Sequence, residues 1–107
     1  MRKILLVDND ITFIWGLKKY LQRRGYAVET AATLAEAREM IKQEAPLLIC
    51  SDLCLPDGSG LELLAEVRTC NKDTPFIIAS CYEKDDYEQE ALQHGVTICM
   101  DKIKSAL

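Results

Sequence analysis

The sequence predicts an α/β fold: a three-layer, doubly wound parallel sheet of five strands. Two observations predict it. Short apolar runs alternate with amphipathic stretches along the whole of residues 1–107, the rhythm of strands joined by crossover helices. The runs at 4–7, 47–50 and 76–79 are continuously apolar rather than alternating, so those strands are covered on both faces, as parallel strands are. Right-handed crossovers then leave an open sheet. For five strands its order is the flavodoxin-like 2-1-3-4-5, with the switch point between strands one and three.

Each element has a local reason. The first strand, residues 4–7, stops at Asp8. A helix over 11–23 carries Phe13, Ile14, Leu17, Tyr20 and Leu21 on one face, is capped by Asp10 and ends at Arg23-Arg24-Gly25. Residues 26–30 form a weaker, more polar strand suited to a sheet edge. Thr33 caps a helix over 34–44 with Glu36 in the capping-box position, and Pro46 prevents its continuation. Residues 47–51 are the third strand, ending at Asp52. The turn-rich 53–59, with Asp57-Gly58 as its turn, precedes a helix over 60–69. Pro75 opens the fourth strand, 76–79, which ends at Ser80. A polar helix over 84–93 closes at His94-Gly95, and the fifth strand, 96–100, runs into Asp101-Lys102.

Composition narrows the function classes. With 49% hydrophobic and 28% charged residues, the chain has the makings of one core and is not a disordered segment. Seventeen acids against 13 Lys and Arg exclude a broad basic footprint, so no nucleic-acid binding is expected of this domain itself. The apolar run after Met1-Arg2-Lys3 is far too short for a membrane span or a secretory signal, so a cytoplasmic location is expected. Five cysteines without a CxxC, and a single His, do not make a zinc site. Cys50, Cys81 and Cys99 are expected to be small core residues in a reducing compartment.

The polar residues at the strand ends carry the chemistry. Strand one ends in Asp8-Asn9-Asp10, strand three in Asp52, strand four in Ser80 and strand five in Asp101-Lys102. Strands one and three are expected neighbours, so Asp8 and Asp52 converge on one crevice and repel each other until a cation relieves them. Magnesium suits such a site, because it takes one or two carboxylates, keeps waters and accepts phosphoryl oxygens. A hydroxyl and an ammonium from strands four and five complete a cradle for an anion. This is equipment for placing a phosphoryl group on a carboxylate.

Asp52 with the following LCLPDGSGLELL, together with KILLVDND, PFIIAS and GVTICMDK in that order, resembles the receiver domain of bacterial two-component response regulators. The resemblance spans the chain. It implies that Asp52 accepts phosphate from the phosphohistidine of a sensor histidine kinase or phosphotransfer protein. It implies that Asp8, Asn9, Asp52 and the Cys54 carbonyl hold Mg2+, and that Ser80 and Lys102 contact the phosphoryl group. Ser80 and Cys99 occupy the two switch positions, and Pro56 and Gly60 shape the loop after Asp52. Phosphorylation would repack the surface made by the fourth strand, fourth helix and fifth strand, controlling homodimerisation or an output, expected to be transcription.

Three departures stand out. Asn9 replaces an acid, with Asp10 as a substitute ligand. Cys99 replaces an aromatic, a role that Tyr82 could take over. Ile103 replaces a proline after Lys102 and removes the preference for a cis bond. Only residues 103–107 follow Lys102, so the fifth helix is expected to be truncated and the chain to be the N-terminal part of a longer regulator. Ile11 and Trp15 lie off the apolar stripe of the first helix and are candidate anchors for the kinase or phosphotransfer protein. Two other readings compete. One is a degenerate receiver that is never phosphorylated and serves only as an interaction module. The other is a haloacid-dehalogenase-like phosphatase, since VDNDIT matches that family's DxDxT with Asp8 as nucleophile. The short chain, and Asp85-Asp86 preceding Lys102, weigh against the phosphatase.

Overall fold

A computed structural model describes residues 2–102 of the chain. The elements in order are β1 (Ile4–Val7), α1 (Ile11–Arg23), β2 (Val28–Ala31), α2 (Leu34–Gln43), β3 (Leu48–Ser51), the short strands β4 (Cys54–Leu55) and β5 (Gly58–Ser59), α3 (Gly60–Cys70), β6 (Phe76–Ser80), a 3-10 turn (Lys84–Asp86), α4 (Glu88–Gln93) and β7 (Ile98–Asp101). The main sheet is parallel in the order β2-β1-β3-β6-β7. Its five strands, counted along the chain, thus lie 2-1-3-4-5, as the sequence predicts. The expected truncated fifth helix and Ile103 lie outside the described residues.

Sequence patterning explains the centre of the sheet. All four residues of β1 are buried, and Ile49, Phe76 and Ile78 are fully enclosed with Leu34, Leu63 and Leu64 from the helices. The α2 cap forms with a variant of the box: Thr33 Oγ1 accepts from Glu36 N, while Glu36 Oε1 reaches one residue past the cap and accepts from Ala32 N. Asp10 caps α1 through the Phe13 amide, and Ser59 caps α3 through Leu61.

Several expectations fail for tertiary reasons. Residues 53–59 form a tight antiparallel hairpin whose turn is Pro56-Asp57. The Asp57 carboxylate reaches back to cap α2, accepting from Leu34 N (2.8 Å) and Ala35 N (3.1 Å). The Leu34 amide bond is the main reason its pKa lies below the usual carboxylate value. The helix expected over 84–93 is broken into a 3-10 turn and the short α4. Tyr20 is exposed rather than on a buried stripe, with the Arg24 guanidinium 5.1 Å above its ring, and no residue of α1 is fully buried. Cys81 is exposed just beyond β6, whereas Cys50 and Cys99 are half-buried. Burial pushes the Cys50 thiol up to about 12, so it stays protonated and inert. The edge strand β7 leaves Ile98 and Met100 exposed, so only its other face is covered. Among the described residues, no helix is long and apolar enough to cross a membrane.

Candidate functional site

The sheet register assembles the site. Val7 pairs with Ser51, so Asp8 and Asp52 leave adjacent strands side by side, with Asp52 N donating to Val7 O (2.8 Å). Ser80 pairs with Asp101, which brings Lys102 in from the far edge. The Lys102 ammonium lies 2.5 Å from Asp8 Oδ2 and 3.5 Å from Asp52 Oδ2. Asp8, Lys102 and Ser80 are buried, and the Asp52 side chain keeps 15% of its surface open. Of the two carboxylates, Asp52 is the one that a reactant in solvent can reach.

Two carboxylates and one ammonium leave the pocket with a surplus negative charge. Burial, and next the Asp8 charge, raise the Asp52 pKa above the usual carboxylate value. For Lys102, burial alone would lower the pKa, but its close ion pairing with Asp8 and Asp52 outweighs that and raises it. Asp8 Oδ1 accepts from Asp10 N (2.9 Å) and Asp52 Oδ1 from Leu53 N (2.7 Å). Asp8 Oδ2 is buried and makes no hydrogen bond of good geometry among the described residues; it meets Lys102 through charge. That oxygen retains capacity for a further ligand. A hard divalent cation therefore fits the donor set, completed by carbonyl oxygens and water. No third acidic, His or Cys side chain joins these two in a metal-holding cluster among the described residues.

The other expected ligands stand outside this pair. Asn9 and Asp10 are exposed, and Asp10 Oδ1 is engaged in the α1 cap. Cys54 is exposed at the start of β4, and its thiol is the main influence holding the Tyr82 hydroxyl's pKa above the ordinary phenol value. Tyr82 is exposed, and Cys99 packs against the core cluster. Ser80 Oγ accepts from Tyr82 N (3.0 Å). Ile11 and Trp15 are exposed, as expected, on the first two turns of α1, next to the crevice.

Two further contributors, Phe13 and Ser51, were not expected at the site, and Gly60, expected to shape the loop after Asp52, has a contact that its position did not announce. Phe13 lies under the Lys102 ammonium, 4.6 Å from ring centre to nitrogen, and helps to orient it. Ser51 Oγ donates to the Asp52 carbonyl (2.9 Å), steadying the chain at the acceptor. Gly60 lets α3 approach so closely that a Cβ there would lie 2.2 Å from the Asp52 carbonyl oxygen. Phe13 and Gly60 had visible signals, an aromatic in the first helical turn and a glycine at a helix start, but neither states what it touches.

Four strand ends converging on one aspartate is the arrangement that the sequence resemblance implies. The sequence profile of the response regulator receiver domain matches residues 4–105. The chain belongs to the response regulator receiver family. Among the receiver's relatives is the photosynthetic apparatus regulatory protein RegA of Cereibacter sphaeroides, 31% identical over 101 residues. The match covers 94% of this chain and 55% of RegA, so the receiver spans about half the length of that relative. A CheY-like receiver domain protein from Methanospirillum hungatei superposes with a TM-score of 0.89 at 30% identity, covering 95% of this chain and 82% of that one. A Burkholderia pseudomallei response regulator, solved with a phosphorylated aspartic acid and a calcium ion, superposes with a TM-score of 0.87 at 28% identity, covering 95% and 60%.

Proposed function

We propose that this receiver is a phosphorylation-controlled switch in which Asp52 takes a phosphoryl group from a phosphohistidine of a sensor histidine kinase or phosphotransfer protein. The observation that carries this reading is the asymmetry of the acid pair: Asp52 is partly open, whereas Asp8 is sealed beneath Lys102. An Asp52 oxygen forms the new O–P bond as the N–P bond breaks and its electron pair returns to the imidazole. Lys102 balances charge at both carboxylates, and Leu53 N–H holds Asp52 Oδ1 in place. Ser80 supplies a hydroxyl at the end of the neighbouring strand. Asp8, Asp52, the Cys54 carbonyl and Asn9 would hold Mg2+, which when bound neutralises charge between Asp52 and the incoming phosphoryl oxygens.

The domain catalyses only its own phosphorylation and dephosphorylation, and works in the cytoplasm. Its output is a change in the β6–α4–β7 surface that governs dimerisation or transcription through an attached module. The exposed Ile98 and Met100 give that surface apolar contacts to offer. Ile11 and Trp15 are the docking anchors for the phosphodonor protein.

Incubation with a small phosphodonor and Mg2+ is expected to add one phosphoryl group, trapped by borohydride at Asp52. Asp52→Asn should abolish the labelling. Trp15→Ala should slow transfer from the phosphorylated kinase about tenfold while leaving the small-donor reaction unchanged. Label on Asp8, or multiple turnover of a phosphate ester, contradicts the reading in favour of a phosphatase. No label at all points to an interaction module.

A further inference from the structure

Among the described residues, two buried side-chain oxygens make no hydrogen bond: Asp8 Oδ2, which belongs to the site, and the Tyr87 hydroxyl. Tyr87 joins the 3-10 turn to α4, is 5% exposed, and packs into the core cluster against which Cys99 of β7 also rests. A phenylalanine would fill that space without burying an unsatisfied hydroxyl. Such a hydroxyl biases the molecule against the state that contains it, by roughly five- to a hundredfold. Burial pushes the Tyr87 phenol up to about 12, followed by the charge effect of Cys99, with Asp52 itself among the smaller influences. The group therefore stays a donor in search of an acceptor.

The chain between Ser80 and Tyr87 is short: one side-chain bond closes its first turn, and the Asp86 N to Glu83 O and Tyr87 N to Lys84 O bonds form the 3-10 turn after it. Ser80 ends β6, is wholly buried, and its Oγ accepts from Tyr82 N, closing the turn that leads into the 3-10 segment. Turning that hydroxyl toward a group on Asp52 gives up the bond and loosens the segment that positions Tyr87. We propose that Tyr87 is the positioning residue that couples occupancy of Asp52 to the α4 surface: it is held beside Cys99 with its hydroxyl unpaired in the free state, and re-seated with the hydroxyl paired in the occupied state. The inference rests on the Asp52 reading. The coupling aromatic thus comes from the head of α4 rather than from β7 or from Tyr82.

The test uses the full chain with Mg2+ and beryllofluoride as the phosphoryl mimic, followed by NMR. In the unsubstituted protein, the Leu53 and Ser80 amides, the Tyr87 ring and the α4 amides are all expected to shift on saturation. Tyr87→Phe keeps the ring and removes the unpaired hydroxyl, so the free state gains stability. Its beryllofluoride affinity should therefore fall on the order of tenfold, with the Leu53 and Ser80 shifts retained. A hydroxyl with only a packing role would change Tm and leave that affinity unmoved, which overturns the inference. Shifts confined to the site, with the Tyr87 ring unmoved in the unsubstituted protein, overturn it as well. No shift anywhere, at Leu53 and Ser80 included, overturns the Asp52 reading and this inference with it.

Discussion

Replacing Lys102 by methionine is expected to destabilise the receiver by about 3–5 kcal/mol at pH 7 and to halt phosphorylation of Asp52. The methionine conserves most of the buried volume, so the loss is electrostatic, the ammonium's seat over the Phe13 ring included. It leaves Asp8 and Asp52 facing each other with no ammonium 2.5 Å and 3.5 Å away. The pH dependence gives the deficit its signature. Pairing raises the Lys102 pKa above the ordinary lysine value, so its stabilisation is complete at pH 7 and lost only as pH climbs through that raised value. Asp52 is the opposite case, a carboxylate whose folded pKa is already raised by burial and by Asp8. Without Lys102 it rises further, and the folded variant then binds a proton that the unfolded chain does not. Its stability should therefore grow as pH falls from neutrality toward the ordinary carboxylate pKa, closing part of the gap to the unsubstituted protein. Mg2+ should raise the variant's Tm more than that of the unsubstituted protein, because it relieves the same repulsion. Urea midpoints at pH 7 and pH 5, with and without Mg2+, decide the matter. Equal midpoints for the two proteins at pH 7 would show that Lys102 does not hold the acid pair together.

The legible part of this site was the part written in strand ends. Asp8, Asp52, Ser80 and Lys102 each follow or close an apolar run, and the order of a doubly wound sheet decides which ends are neighbours. The caps Asp10 and Thr33 were legible for a similar reason, since their partners lie three residues on. What escaped depends on distances across the fold. Asp57 caps a helix 23 residues earlier in the chain, and no local spacing announces that. The break between Asp86 and Glu88 follows from Tyr87 turning into the core, whereas the polar run around it reads as one solvated helix. Cys81 and Tyr20 show the same limit from the other side. Their residue types favour burial, but one lies in a surface turn and the other near the outer end of a helix.

Gly60→Ala is the second large effect, and its value lies in a contrast with Gly16→Ala. Both glycines are helical, and both replacements raise intrinsic helix propensity. At Gly16 a Cβ meets nothing within 4 Å, so the exchange should stabilise the receiver by about 0.5–1 kcal/mol. At Gly60 the same carbon would sit 2.2 Å from the Asp52 carbonyl oxygen and 3.0 Å from Ser51 Oγ. The first of these is backbone and cannot swing away. One response is for α3 to withdraw, which opens the packing of Leu63, Leu64 and Val67 against the sheet. The other is for the Asp52 peptide to rotate, which breaks the Ser51 bond and the Gly60 N to Leu53 O bond (2.7 Å). Either costs about 3 kcal/mol, the upper range for overpacking, and overwhelms the propensity gain. The second also displaces the Asp52 carboxylate, so phosphorylation from a small donor should slow even where the variant is fully folded. Denaturant midpoints should thus move in opposite directions for the two variants with the slope unchanged. A Gly60→Ala receiver as stable as its parent would mean that α3 does not hold the acceptor loop this closely.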